Sequence, residues 1–258
     1  MKIGIIGPGR VGTALGEAFK QAGHQITGIV SRNQEHANRC SHFTGCSYWS
    51  SNPRDLISRA DLMLIAVPDS QIKSVVGTIH ELPLQNDIIL AHTSGVIPSS
   101  ILRAKRSLSM HPISSFAGGK LPRGTYFGIE GDIEVGKKLV NSIGGIPIVI
   151  SPEHKALYHA GLNFGAAYIL TLLEKGCKIL ELSGIKEPEK VLLSLASSTL
   201  HNTKRFGIKN SLTGPIERED AKIVKEELKA IEKMSPEDLK IYKLLVEETQ
   251  KLTTNKHE

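Results

Sequence analysis

Near the N-terminus, Gly7-Pro8-Gly9-Arg10-Val11-Gly12 carries the spacing G-x-G-x-x-G. The spacing alone is common, but its setting makes it informative. It follows an apolar run, Lys2 to Ile6, and opens a segment with Ala14, Leu15, Ala18 and Phe19 on one side. In such a strand–turn–helix the first glycine permits a tight turn, the second lets a diphosphate approach the backbone, and the third brings helix against strand. The helix N-terminus then offers unpaired N–H groups to phosphate oxygens. The chemistry expected here is the binding of a dinucleotide.

An NAD-binding turn is usually followed, about 20 residues on, by an Asp or Glu that holds the ribose hydroxyls. Here the second strand ends Ile29-Val30-Ser31-Arg32. A hydroxyl and a guanidinium in place of a carboxylate remove repulsion against a 2′-phosphate and supply donors to it. Each hydrogen bond to a charged group contributes roughly 1.5 to 3 kcal/mol, so one or two favour the phosphorylated cofactor by about ten- to several hundred-fold. The expected cofactor is NADP(H). Arg10 is either a second positive contact or a solvent-facing residue of the first turn.

Later segments follow strand-like runs at the carboxyl edge, where open α/β sheets bind ligands. In Ala66-Val67-Pro68-Asp69, Val67 and Pro68 would floor the nicotinamide, and Asp69 is expected to cap a helix beginning at Ser70. Ser94, in His92-Thr93-Ser94-Gly95, would touch nicotinamide or substrate, and His111 leaves another strand as a candidate substrate contact. Lys155, His159 and Asn163 are four residues apart in succession and share one helical face. Such a face is ordinarily polar surface, yet Ala160-Gly161-Leu162 and residues 164–173 beside it are nearly all apolar, which argues for a central helix. A lysine buried beside a nicotinamide can protonate or electrostatically clamp a carbonyl oxygen becoming an alkoxide, and Lys155 is assigned that role. His159, Ser94 or Asn202 would orient the substrate, with Asn163 and Thr213 as further contacts. Arg218 either forks onto a substrate carboxylate or pairs with neighbouring acids. The ten histidines show no H-E-x-x-H spacing, so no catalytic metal is expected, and no G-x-S-x-G nucleophile turn is present.

These residues need a scaffold. Up to Ile150, short apolar runs alternate with amphipathic segments, the pattern of a parallel sheet with crossover helices. Strands are expected at 2–6, 25–30, 62–66, 88–92, 108–110, 126–130 and 147–150, and helices at 11–22, 70–79 and 133–143. After Ser151-Pro152 strand-like runs vanish. One helix is expected from there to about Ser183, a second over 188–206, and a C-terminal pair divided at Ser235-Pro236-Glu237. The fold class is therefore α/β, with a dinucleotide-binding domain over 1–150 and an all-α domain over 151–258. Ala221, Val224, Leu228 and Ile231 form one apolar stripe, for an intramolecular core or a dimer interface.

Composition narrows the classes. With 40% hydrophobic and 22% charged residues the 258-residue chain can bury a core, which excludes a disordered protein. The net charge of +6 is spread thinly: residues 1–150 carry 15 Lys/Arg against 10 Asp/Glu, and residues 217–258 carry 9 against 11. The cluster Arg103, Lys105 and Arg106 lacks interleaved aromatics, so nucleic acid is not an expected partner, whereas a small anionic substrate is. No run of about 20 uninterrupted apolar residues and no secretory leader is seen, so no membrane is expected. Three cysteines suit a reducing cytoplasm.

Taken in order, G-P-G-R-V-G, S-R, A-V-P-D, H-T-S-G, H-P-I-S-S-F, K-A-L-Y-H-A and L-T-G-P-I-E-R-E-D resemble the Rossmann-like oxidoreductases whose helical half is the domain of unknown function 2520. That group is similar to pyrroline-5-carboxylate reductases, 3-hydroxyisobutyrate dehydrogenases and deazaflavin-dependent NADP reductases. The resemblance implies an N-terminal NADP-binding Rossmann domain and a C-terminal helical domain that forms a homodimer. Some members look like a distinct type of 2-dehydropantoate (ketopantoate) reductase. In the 3-hydroxyacid dehydrogenases a catalytic lysine opens the first interdomain helix, the position of Lys155, and His159 stands where they offer an asparagine. Relatives often have Asn at the position of Ala167 and R-G-D at Arg218-Glu219-Asp220. The leading expectation is an NADPH-dependent reductase of a small 2-oxo acid. Reduction of a cyclic imine, hydride exchange with a deazaflavin, and a non-catalytic NADP-binding regulator are the alternatives.

Overall fold

The computed structural model describes residues 1–81, 84, 87–117 and 119–254. By contacts the chain divides into two compact units, Met1–Asn163 and Phe164–Glu258. The first compact unit thus extends past the break in texture at Ser151 and takes in the helix that opens at Lys155.

The first unit is built on an eight-stranded sheet in the order β3-β2-β1-β4-β5-β6-β7-β8. The strands are β1 (Lys2–Ile6), β2 (Gln25–Val30), β3 (Trp49–Ser50), β4 (Leu62–Ile65), β5 (Ile89–His92), β6 (Arg106–Pro112), β7 (Tyr126–Gly131) and β8 (Ile146–Val149). Its helices are α1 (Arg10–Gln21), α2 (Gln34–Thr44), α3 (Asp69–Ile79), α4 (Ile133–Ser142) and α5 (Lys155–Phe164). Alternate residues serve opposite faces. Ile3, Ile5, Leu62 and Leu64 pack with Leu15 and Phe19 of α1, whereas Ile6, Met63 and Ile65 pack with Ile72 and Val76 of α3. Strands covered on both sides read as continuous apolar runs for this reason.

All neighbouring strands from β3 to β6 are parallel, but β6 pairs antiparallel with β7, from Leu108 opposite Gly131 to Pro112 opposite Phe127. The sheet is parallel-dominated, as the alternation of runs predicts, and reverses once, between β6 and β7. No helix lies among the described residues between β6 and β7, and a chain that returns without a crossover comes back antiparallel. The sequence reading also missed α2 and β3. Helix α2 is polar along much of its length and is fixed at its start by Asn33, whose side chain accepts from His36 N–H.

The second unit holds α6 (Ala167–Leu182), α7 (Pro188–Phe206), α8 (Ala221–Met234) and α9 (Leu239–Thr254). The single helix expected from Pro152 to Ser183 is interrupted: α5 ends at Phe164 and α6 starts at Ala167. Across that break, Pro152–Leu182 is nonetheless long and apolar enough, at mean hydropathy 1.3, to cross a membrane by length and composition alone. Asp220 caps α8 by accepting from Ile223 N–H, and Val224 and Ile231 of the expected stripe are buried. Between α8 and α9, Ser235 donates to Asp238, which also pairs with Lys175 of α6. Leu170, Leu195 and Ile208 remain well exposed.

Candidate functional site

The glycine turn has the geometry its spacing predicts. Gly7 adopts φ +88°, and a Cβ there would meet Val67 Cγ1 at 2.6 Å. A Cβ on Gly12 would lie 2.3 Å from the Gly7 carbonyl oxygen, so only glycine lets α1 sit this close to the turn. Nothing lies within 4 Å of the same position on Gly9, which leaves its backbone open from above. Gly9 is the N-cap of α1, no side chain caps it, and the first turn holds no acidic residue. The N–H groups there are thus free to meet an anion.

Two clefts meet at this turn. One, of about 820 Å³, is lined by Gly7, Gly9, Ser31, Arg32, Asn33, His36, Arg54 and Gln71 among others. The other, of about 470 Å³, is lined by Gly9, Arg10, Val11, Asp69, Ser94, Gly95, His111 and Phe116 among others. Gly9, Ala66, Val67 and Pro68 line both. Ser31 and Arg32 therefore share a wall with the glycine turn. The Ser31 hydroxyl donates to Asn33 C=O at 2.7 Å and accepts Asn33 N–H at 3.1 Å, and the Arg32 guanidinium donates to Gln71 Oε1 at 2.9 Å. His36 and Arg54, which line the same cleft, were not singled out from sequence. Arg54 pairs with Glu81 and donates to Thr78 C=O at 3.2 Å. No local pattern marks either residue, because the polar α2 and the two-residue β3 that bring them there leave no periodic trace.

At the other end the hydrogen bonds converge on Ser94. Asp69 does not cap α3; Pro68 occupies the N-cap and Asp69 is the first helical residue, its carboxylate accepting the Ser94 hydroxyl at 2.9 Å. The same hydroxyl oxygen accepts Val96 and Ile97 N–H, which fixes the turn after β5. Lys155, 2% exposed, donates to Ser109 Oγ at 2.6 Å and to Ser94 C=O at 3.4 Å. Burial lowers its pKa, and the charges of Glu130 and Asp69 oppose that shift. His92 is wholly buried, with Nδ1 accepting Ser94 N–H at 3.2 Å, and burial together with the Lys155 charge pushes its pKa down to about 4.

Helix α5 presents Lys155, Tyr158 and His159 at spacings of three and four, on one face. The Tyr158 hydroxyl and His111 Nδ1 share a hydrogen bond of 2.8 Å. The His111 and His159 rings stand 5.8 Å apart, and both press on Gly95: a Cβ there would lie 2.6 Å from His159 Cδ2 and 3.0 Å from His111 Cε1 and Nε2. Burial, then the neighbouring His159 and Lys155, pushes the His111 pKa down to about 4, and burial raises Tyr158 to about 12. Ser94, His111, Lys155 and His159 are thus gathered around one turn. Asn163, also on α5, is half-buried. Asn202, Thr213 and Arg218 belong to the second unit and are exposed. Glu219 has φ +56°, where a glycine would sit without strain.

Two family models match the chain, a Rossmann-like domain over residues 1–113 and a domain of unknown function, DUF2520, over residues 125–249. The chain joins a Rossmann-like domain to a DUF2520 domain. The Rossmann-like part contributes Ser94, Gly95 and His111, and the DUF2520 part contributes Lys155, Tyr158 and His159. No curated protein matches the sequence. Among solved structures, a protein of Thermotoga maritima is 25% identical, with 99% of this chain and 100% of that one covered and a TM-score of 0.81. A Bacteroides fragilis protein assigned as an NADP oxidoreductase is 20% identical, with 97% and 98% covered and a TM-score of 0.80. The pyrroline carboxylate reductase of Plasmodium falciparum, solved with NADP bound, is 15% identical, with 98% of each chain covered and a TM-score of 0.64. The fold is therefore one shared with NADP oxidoreductases.

Proposed function

We propose that this protein is an NADPH-dependent reductase of the carbonyl of a small 2-oxo acid, with 2-dehydropantoate as the leading substrate. The observation that carries the reading is the pair of clefts that share Gly9, Ala66, Val67 and Pro68. They run from an uncapped helix N-terminus, suited to a diphosphate, to a turn bounded by Ser94, Gly95 and His111. Arg10, Val11 and the three glycines suit the diphosphate, Ser31 and Arg32 a 2′-phosphate, and Val67 and Pro68 an apolar ring. NADPH, when bound, supplies a hydride.

The protein's own part is to hold the substrate and stabilise the charge that develops on its oxygen. Lys155 is too buried to touch a ligand in the cleft, so its charge acts through the Ser94–Gly95 turn as a fixed positive potential. His159, half-buried against Gly95, is the group placed to hand a proton to the new alkoxide. Ser94 and His111 orient the substrate. The second unit, with its exposed apolar residues on α6 and α7, joins two copies in a homodimer, and the cytoplasm suits three free thiols. Following NADPH absorbance against a panel of 2-oxo acids and cyclic imines tests the reading. Turnover of a 2-oxo acid supports it. NADPH binding without turnover of any compound would leave a regulator, and turnover of imines alone would replace the substrate class.

A further inference from the structure

Resting on the reductase reading, we infer that Tyr158 is a positioning residue: its hydroxyl donates to His111 Nδ1 and so keeps a proton on His111 Nε2, the nitrogen turned toward Gly95 and the cleft. His111 would then serve as a neutral hydrogen-bond donor to the substrate oxygen.

The direction of the bond follows from counting donors and acceptors. A neutral imidazole carries one N–H and one bare nitrogen, and which is which is set by the partner of the other nitrogen. Among the described residues, the Tyr158 hydroxyl has His111 Nδ1 as its hydrogen-bond partner. If Nδ1 donated to that hydroxyl, the phenolic proton would have no acceptor among the described residues, in a half-buried place where water replaces one only in part. With the phenol donating, nothing is orphaned and the remaining proton sits on Nε2. The Cε1–Nε2 edge is the one that faces Gly95, 3.0 Å from the position a Cβ would take, and His111 and Gly95 both line the cleft. Among the described residues, Tyr158 hydrogen-bonds the ring and the charges of His159 and Lys155 act on it, all three from α5. Lys155 and His159 disfavour a second positive charge on His111, which keeps it a neutral donor.

In the proposed reduction NADPH, when bound, would supply a hydride to the carbonyl carbon and leave as NADP⁺, and the π pair of the C=O bond would move to oxygen. His159 would hand that oxygen a proton and take one back from water. His111 keeps its own proton throughout and stabilises the oxygen by hydrogen bonding, a function that depends on the tautomer.

The first test needs no substrate. Long-range proton–nitrogen NMR of ¹⁵N-histidine-labelled wild-type protein should show His111 protonated on Nε2, and Tyr158→Phe should turn it into a mixture of tautomers. An Nδ1-protonated His111 in the wild type overturns the inference even if Y158F fails to fold. A wild-type protein that reduces nothing would instead refute the reductase reading. Kinetically, with 2-dehydropantoate or the fastest 2-oxo acid of the panel, Y158F should lower kcat by about 10- to 100-fold, as loss of an oriented donor does, with KM and NADPH affinity within about twofold. In a His111→Gln background, whose amide donor needs no tautomer, the same change should cost nothing further. An unchanged kcat in Y158F, or an equal loss in the Gln background, would show that Tyr158 does not act through His111.

Discussion

Gly95→Ala separates a functional contact from a structural one. The backbone at Gly95 is not left-handed, so alanine introduces no dihedral strain and the whole effect is steric. The added carbon would lie 2.6 Å from His159 Cδ2 and 3.0 Å from His111 Nε2, against the 3.5 Å or so at which carbon contacts become comfortable. His159 must retreat by about 1 Å and His111 by about half that. Both can do so by turning about their side-chain torsions, at about 0.5 to 1.5 kcal/mol per off-rotamer angle, so the melting temperature should fall by only a few degrees. A misplacement of about 1 Å near the reacting atoms costs about 100-fold in rate. The expected result is therefore a folded variant that binds NADPH nearly as before, by fluorescence titration, with kcat lower by about two orders of magnitude. A kcat within about threefold of wild type would refute the placement of the two imidazoles at the reaction centre. A loss of NADPH affinity that matches the loss of rate would move Gly95 from the chemistry to the cofactor.

Arg32→Gln should weaken NADPH binding by about tenfold or more and leave NADH binding unchanged, as removal of one charged hydrogen bond to a phosphate predicts; parallel titrations check this. Lys155→Met should abolish most turnover while thermal stability stays level or rises, since an apolar side chain of similar length replaces an ion whose burial costs several kcal/mol; calorimetry beside the rate assay decides. Glu219→Gly should raise stability by about 0.5 to 1 kcal/mol by relieving a left-handed non-glycine backbone, read from denaturant midpoints. Acid should destabilise the first unit: His92 and His111 have native pKa values near 4 against 6.5 unfolded, so between those limits the unfolded chain binds more protons and stability falls as pH falls. The fully buried His92 alone contributes about 3 kcal/mol to that loss, and a His92→Asn variant should show a correspondingly flatter melting profile from pH 6.5 to 4.

The parts of this structure that were legible in the sequence are those enforced locally. The three glycines of the turn each answer a backbone demand within six positions, and the apolar runs of β1, β2 and β4 record burial on both faces. Lys155 is buried, but not for the reason the sequence offered: the apolar stretch after it, expected to make the helix central, is largely exposed, with Leu157 and Phe164 both at 73%. Strand direction was not legible, because an apolar run is the same read either way and only the missing crossover between β6 and β7 reveals the reversal. Asp69 was misassigned because a carboxylate next to a helix start is ordinarily a cap, and its actual partner, Ser94, lies 25 positions away. The Tyr158–His111 pair spans 47 positions and joins residues whose own neighbourhoods say nothing of each other.

What ties the site together is the placing of charge. Lys155, His92 and His111 are three basic groups near one turn, and the buried ammonium lowers both imidazoles by its own field in addition to their burial. At neutral pH this leaves two imidazoles uncharged and able to keep fixed N–H directions. Glu130 and Asp69 oppose the loss of the lysine's charge, and they are themselves held, Glu130 by Ser99 and Asp69 by Ser94. An apolar residue at position 155 would stabilise the fold at least as well, because a buried ion rarely recovers its desolvation cost. Fold stability therefore does not explain the lysine. On the proposed reductase reading, a positive potential beneath a turn whose upper surface carries neutral donors would explain it, because an anion that appears only during reaction gains from the charge without the site having to bind an anion so tightly beforehand.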